Sequence, residues 1–218
     1  MKLLLTSAGI RNQGIADALK SLINKPVESV KVGLIPTAQN FEPGNKDFFI
    51  AQLTNLQKHG FSWIDIVDPA ADGIDWKSRL DPVDIVFVSG GNTFYLMEET
   101  RKSGLGDWLS KNIATKVYVG VSAGSIMATP SIAVAEIDDG DENAVGLTDL
   151  TGLSFVDFEV SPHTPEFVSV EANNEYATKI DRELYLIDDE SAIKVDGKEI
   201  TVVGEGSHSI LNQAKISR

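Results

Sequence analysis

The chain has no cysteine among its 218 residues. That excludes disulfide staples, thiol nucleophiles and cysteine-ligated zinc. Histidine is scarce, so any chemistry that needs an imidazole has only His59, His163 and His208 to draw on. No apolar run is long enough to cross a bilayer, and the leading Leu3-Leu4-Leu5 is too short for the core of a secretory signal. Positive charge is in deficit: 19 Lys and Arg against 32 Asp and Glu leave a formal net charge of −13. No basic stripe is present that could neutralise phosphates. These absences lead us to expect a soluble, cytoplasmic protein that binds neither nucleic acid nor membrane. Acidic ligands would not be drawn in by the overall field, so a site for one would need its own local cation.

What is present is ordinary for a globular chain: 42% hydrophobic residues and 23% charged, enough to bury one large core. No linker, repeat or low-complexity tract interrupts it, so residues 1–218 are expected to form a single domain. The first half alternates short β-rich runs with helical patterns. Residues 3–6, 30–35, 63–67 and 85–88 read as strands, and a further strand runs through Lys116-Val117-Tyr118-Val119. Between them, residues 14–23, 47–59, 92–102 and 106–113 carry helical spacing, with a weaker helix near Trp76. Continuous β-branched runs imply strands buried on both faces. The order predicts an α/β fold, a doubly wound and mostly parallel sheet with helices on both faces. Such sheets place ligands at the carboxyl ends of their strands. Later, residues 155–160 read as a strand and 165–179 as a helix. Residues 184–187, 192–195, 200–203 and 209–211 read as short strands, with Asp196-Gly197 turning one hairpin. The acidic stretch 136–143 lacks the ligand alternation of a calcium loop and reads as a solvated surface loop.

The pentad Gly120-Val121-Ser122-Ala123-Gly124 stands where a strand gives way to small residues. This Gly-x-Ser-x-Gly pattern is that of a nucleophile elbow, in which flanking glycines permit a sharp turn and expose the hydroxyl. Amides at the start of the following helix could stabilise an oxyanion. A serine needs a base. His59 closes a helix before Gly60 and needs no further role. His163, between Pro162 and Pro165 after a strand, lies on the side of the sheet expected for Ser122, and His208 is its only rival. The orienting acid stays open among Asp188, Asp189 and Glu190 after residues 184–187, and the loop acids Asp138, Asp139, Asp141 and Glu142. A second motif, Ile85-Val86-Phe87-Val88-Ser89-Gly90-Gly91-Asn92-Thr93-Phe94, is a buried strand, a glycine pair and a helix start. It lacks the spacing of a nucleotide loop and fits the second half of an oxyanion hole.

These two motifs, with Pro130-Ser131-Ile132, Pro162-His163 and Ile187-Asp188-Asp189-Glu190-Ser191-Ala192, resemble in order and spacing the peptidase E and cyanophycinase family of serine peptidases. The resemblance covers nearly the whole chain. It implies a fold like that of class I glutamine amidotransferases, with serine in place of their cysteine. It further implies Ser122 as nucleophile, His163 as general base, and the amides of Gly91 and Ala123 as oxyanion hole. Gly90 and Asn92 would lie against substrate. The family's glutamate aligns with Asp189, one methylene shorter, leaving Glu190 or Asp138 as other candidates for the acid. The expected activity is hydrolysis of short peptides through an acyl-enzyme, with dipeptides bearing N-terminal Asp as one substrate class. No metal or organic cofactor is expected. The arginine of the dipeptidase pattern is replaced by Ala133, leaving Lys179 and Arg182 as possible cations for an acidic side chain. Two other functions compete: an α/β-hydrolase-type esterase, which wants its acid ahead of the histidine, and a non-catalytic binding module on an amidotransferase-like scaffold. Oligomeric state is not legible.

Overall fold

The computed structural model describes residues 1–41 and 43–213. Five parallel strands form the centre of the main sheet: β1 (Lys2–Thr6), β2 (Lys31–Ile35), β3 (Trp63–Ile66), β4 (Ile85–Val88) and β5 (Val117–Val121). The hairpin strands β8 (Ser191–Asp196) and β9 (Glu199–Gly204) extend it antiparallel, giving the order β3-β2-β4-β5-β1-β8-β9. Alternate residues of each central strand enter opposite layers. Leu3, Leu5, Val86, Val88 and Tyr118 pack into one core, while Leu4, Ile85, Phe87, Val119 and Val121 pack into the other. Both faces are apolar because both are covered, and that is why these strands read as continuous hydrophobic runs. Burial of each such Leu, Val or Phe is worth roughly 1.5–3 kcal/mol.

Helices α1 (Gln13–Ser21) and α3 (Asp47–Lys58) cover one face, through residues such as Ile15, Leu19 and Leu56. The other face is covered by α4 (Trp76–Leu80), α5 (Thr93–Ser103), α6 (Leu105–Asn112) and α7 (Ala123–Met127), through residues such as Trp76, Leu96, Trp108 and Met127. Caps set their ends: Asn12 and Asn92 accept from the amides of Ile15 and Tyr95, and Gly104 closes α5 with φ of 76°. The short α2 (Thr37–Phe41), which the hydrophobic pattern does not reveal, follows β2.

The later half departs from the expected elements in instructive ways. The strand expected at 155–160 shrinks to β6 (Glu159–Ser161). The amides of Leu153 and Phe155 instead donate to Met127 and Ala128 at the end of α7, while Phe155 and Phe158 plug the core. The helix expected at 165–179 is only α8 (Val170–Ala177), because Ser169 caps it and the amides of Phe167 and Val168 turn back to the His163 carbonyl. Finally β7 (Leu184–Ile187) and β10 (His208–Leu211) do not join the main sheet. With β6 they form a second sheet, ordered β10-β7-β6. Its β7 is buried along its whole length against the α7 side of the core.

Candidate active site

The site forms at the carboxyl ends of β1, β4 and β5, where the end of β1 clasps the elbow. The Ser122 amide donates to the Thr6 carbonyl at 2.9 Å, and Ser125 Oγ donates to the same oxygen at 2.8 Å. Thr6 Oγ1 in turn donates to Gly120 O at 2.8 Å. Held this way, Ser122 adopts φ 47° and ψ −109°, a backbone region that costs of order 1–3 kcal/mol for a residue with a side chain. Ser122 is therefore delivered at the turn between β5 and α7. Its Oγ lies 3.0 Å from His163 Nε2.

His163 follows β6 in a left-handed conformation, φ 59°. Its Nδ1 lies 2.6 Å from Asp189 Oδ1. An ionised carboxylate only accepts, so Nδ1 carries the proton and Nε2 is left to accept from Ser122. Ser7, directly after β1, completes the arrangement. Its Oγ accepts the His163 backbone amide at 2.7 Å and donates to Asp189 Oδ1 at 2.8 Å, lying 3.0 Å from Nδ1. Burial pushes the Asp189 carboxyl up, but the hydrogen bonds and charge of His163, the Ser7 hydroxyl and the Arg11 guanidinium outweigh it. The net result lies below the usual carboxylate range.

The other acids are occupied elsewhere. Glu190 accepts from Arg11 Nε at 3.0 Å and from Asn12 Nδ2 at 2.9 Å, fixing the start of α1. Asp188 caps its own turn by accepting from Glu190 N at 3.0 Å. Asp138 is exposed and accepts the Ser169 amide at the start of α8. The structure thus brings together Ser122, His163 and Asp189, in that chain order, and leaves Glu190 and Asp138 outside the group. His208 is exposed on β10 opposite Ile187, and His59 caps α3.

Behind the serine, the glycine pair is pressed against the elbow. A Cβ on Gly90 would meet Ser122 Cβ at 3.0 Å. Gly91 has φ of 130°, and a Cβ there would run into the Ala38 backbone. The amides of Gly91 and Ala123, the latter the first residue of α7, have no acceptor among the described residues. Asn92 does not present its amide to the cavity. Its Oδ1 caps α5 and its Nδ2 donates to Glu142 O at 2.9 Å.

The acidic stretch 136–143, expected as a solvated loop, is corrected by that contact. Asp141 turns inward and accepts the Thr93 amide at 2.7 Å, because the first amides of α5 need acceptors that the helix itself cannot supply. Burial pushes its carboxyl up, against the Thr93 bond and the charge of His163. Gln39, Phe48, Gly91, Ser122, Asp141, His163 and Phe167 line a cavity of about 340 Å³ over the serine. No lysine or arginine lines it among the described residues. Lys179 pairs with Glu175, Arg182 lies 3.8 Å from Glu159, and Lys46 donates to the Gln39 carbonyl. Sequence reasoning missed Ser7, Arg11, Gln39, Phe48 and Phe167. The rule that ligands gather at strand ends could have singled out Ser7, since it directly follows β1 as Ser122 follows β5.

The chain is similar to known proteins over most of its length. The family model of peptidase family S51 matches residues 3–203. An uncharacterized peptidase of Listeria monocytogenes is 33% identical over 176 residues, covering 78% of this chain and 83% of the relative. One from Pasteurella multocida is 31% identical over 188 residues, covering 84% and 88%. Among solved structures, a candidate peptidase E of Listeria monocytogenes superposes with a TM-score of 0.78 at 28% identity, covering 94% of this chain and 98% of that one. At 20% identity, a peptidase from an acI-B1 Actinobacterium shares the fold, with a TM-score of 0.67 over 96% and 90% of the two chains.

Proposed function

The chain belongs to peptidase family S51, and from that premise we propose that it is a serine peptidase acting on short peptides through an acyl-enzyme on Ser122. The single observation that carries the serine mechanism is the chain of contacts from Ser122 Oγ to His163 Nε2 at 3.0 Å and from Nδ1 to Asp189 Oδ1 at 2.6 Å. In this reading His163 accepts the Ser122 proton as Oγ attacks the scissile carbonyl. The amides of Gly91 and Ala123 receive the oxyanion. The imidazolium then protonates the leaving amine, Asp189 and Ser7 holding its ring in place, and water releases the acyl group by the same route. The strained Ser122 backbone supports a pre-positioned nucleophile. A cavity of about 340 Å³ suits a ligand of dipeptide size.

Preference for an N-terminal aspartate would require a cation for its side chain, because an unpaired buried carboxylate is costly. The described cavity lining supplies an acid in its place. The test is hydrolysis of Asp-Leu, Glu-Leu and Ala-Leu, with Ser122→Ala as control and a fluorophosphonate probe as label. Turnover and labelling that both vanish in Ser122→Ala, with folding unchanged, are expected. Turnover surviving in that variant would overturn the serine mechanism, and a wild-type protein that neither cleaves nor labels would point to the binding module.

A further inference from the structure

A second cavity, of about 790 Å³, opens between the segment after α7, the end of α8 and the turn leading into β7. It shares no lining residue with the cavity over Ser122. Glu159, the first residue of β6, lines it and is only 1% exposed. The Tyr176 hydroxyl donates to its Oε2 at 2.6 Å. No hydrogen bond reaches Oε1 among the described residues, and its ion pair with Arg182 Nε, at 3.8 Å, is too long to be one. Arg182 is no better served. Its other ion pair, with Asp181, is 3.6 Å long, and its guanidinium donates no hydrogen bond among the described residues. Lys179 on the same wall is taken up by Glu175 at 2.8 Å. Burial raises the Glu159 carboxyl above its usual range even with Tyr176 and Arg182 beside it, so the partners present do not balance its charge. A buried carboxylate oxygen wants a donor, and a planar guanidinium wants an acceptor for its fork.

We propose that this cavity is a second binding site and that it takes a free α-amino acid, the ammonium on Glu159 Oε1 and the carboxylate on the Arg182 guanidinium. The two protein charges stand side by side, as do the ammonium and carboxylate that an α-amino acid carries on one carbon. A ligand with positive charge alone would meet Arg182, and one with negative charge alone would meet Glu159, so each is disfavoured beside the zwitterion. A neutral hydroxyl could touch both groups but would leave both charges unbalanced. Pro130, Ala133 and Ile180 supply an apolar wall for the ligand's side chain. The hydrolysis proposed above would release ligands of this class, and the site stands whether or not Ser122 performs it.

The test is calorimetric titration of L-leucine, leucinamide and N-acetyl-leucine into full-length Ser122→Ala protein, so that no turnover contributes heat. Leucinamide keeps the ammonium and lacks the carboxylate, and N-acetyl-leucine does the reverse. Leucine is expected to bind with a Kd at or below about 1 mM, and each analogue at least about tenfold more weakly, the size of one charge-assisted hydrogen bond. Adding Arg182→Gln should erase the preference for leucine over leucinamide. Adding Glu159→Gln, which keeps an acceptor for Tyr176, should erase the preference for leucine over N-acetyl-leucine. Each variant thus removes one half of the discrimination, a pattern that general destabilisation would not produce. Absence of leucine binding up to about 10 mM, which would leave the cavity to water alone, would overturn the assignment. So would equal binding of the three compounds, or a preference that survives its matching variant and so belongs to a site elsewhere.

Discussion

The elbow and the imidazole loop meet at one hydrogen bond, yet they are built in opposite ways. The elbow is local. Strand β5, Ser122 and α7 are consecutive in the chain, and the serine is held by backbone strain and by bonds to the end of β1. The imidazole is held by side chains from two distant segments, those of Ser7 and Asp189, with Ser7 and His163 standing 156 positions apart. A nucleophile can be placed by the turn of one chain segment. A base that must keep one tautomer and one ring orientation needs partners on both its ring nitrogen and its backbone, and those come only from tertiary packing.

Breaking the imidazole half should have the largest effect. Asp189→Asn is expected to lower kcat/KM on the order of 10⁴-fold, the loss seen when an orienting carboxylate becomes an amide. It should also change acid stability. The Asp189 carboxyl is held below its usual range by the net effect of His163, Ser7 and Arg11 against burial. Its contribution is thus present above the ordinary carboxylate range and is lost as pH falls through the lowered value. Acid titration of wild type against the variant should show the stability gap closing on acidification. A gap that stays constant would mean that the pair adds nothing to folding.

Breaking the elbow half comes next. Gly91→Ala pushes a Cβ into the Ala38 backbone and must displace the Gly91 amide. We expect kcat to fall about 10²–10³-fold, the worth of one oxyanion donor, with a smaller change in KM. Unchanged kcat would remove Gly91 from the oxyanion hole. Ser7→Ala sharpens the contrast, since it leaves the elbow intact and removes one support of the imidazole. It should lower kcat about tenfold, the scale of one net hydrogen bond, and shift the pH profile of kcat/KM. A change in melting temperature alone, with the pH profile unmoved, would make Ser7 purely structural.

The smallest effect is expected outside both halves, in the three-stranded sheet. Glu159 is buried, and burial raises its carboxyl above the usual range despite the Tyr176 hydroxyl at 2.6 Å and Arg182. A raised acid weakens folding as pH rises through its folded value. Glu159→Gln keeps an acceptor for Tyr176 and should raise the melting temperature at neutral pH. At pH values below the carboxylate range it should make no difference, and peptidase activity should not change. Destabilisation at neutral pH would mean that the charge is needed there for Arg182.

The legibility of the two halves differed for the same reason that their construction does. Gly120 to Gly124, and Gly90-Gly91 after β4, are read from spacing because each pattern is complete within one segment. Asp189 could be named only through family resemblance. Nothing in Asp188-Asp189-Glu190 says which carboxylate faces inward, and the bonds of Glu190 to Arg11 and Asn12 that remove it are contacts with the start of α1. Ser7 and Asp141 carry no pattern of their own. The inward turn of Asp141 follows from the unpaired amide of Thr93 on another element. The strands of the second sheet were legible as strands, but their partners were not, since β7 and β8 both read as short apolar runs and only packing assigns them to different sheets.

By itself, then, the sequence determined the parallel layers, the elbow and the exclusion of thiol chemistry, because apolar periodicity, glycine placement and the absence of cysteine act within a few residues of chain. Tertiary structure alone decided which acid hydrogen-bonds His163, where the second sheet divides from the first, and that an acidic loop turns one carboxylate into the cavity over Ser122. Those outcomes depend on which distant donors and acceptors become neighbours once the core has formed, and a linear pattern carries no record of that proximity.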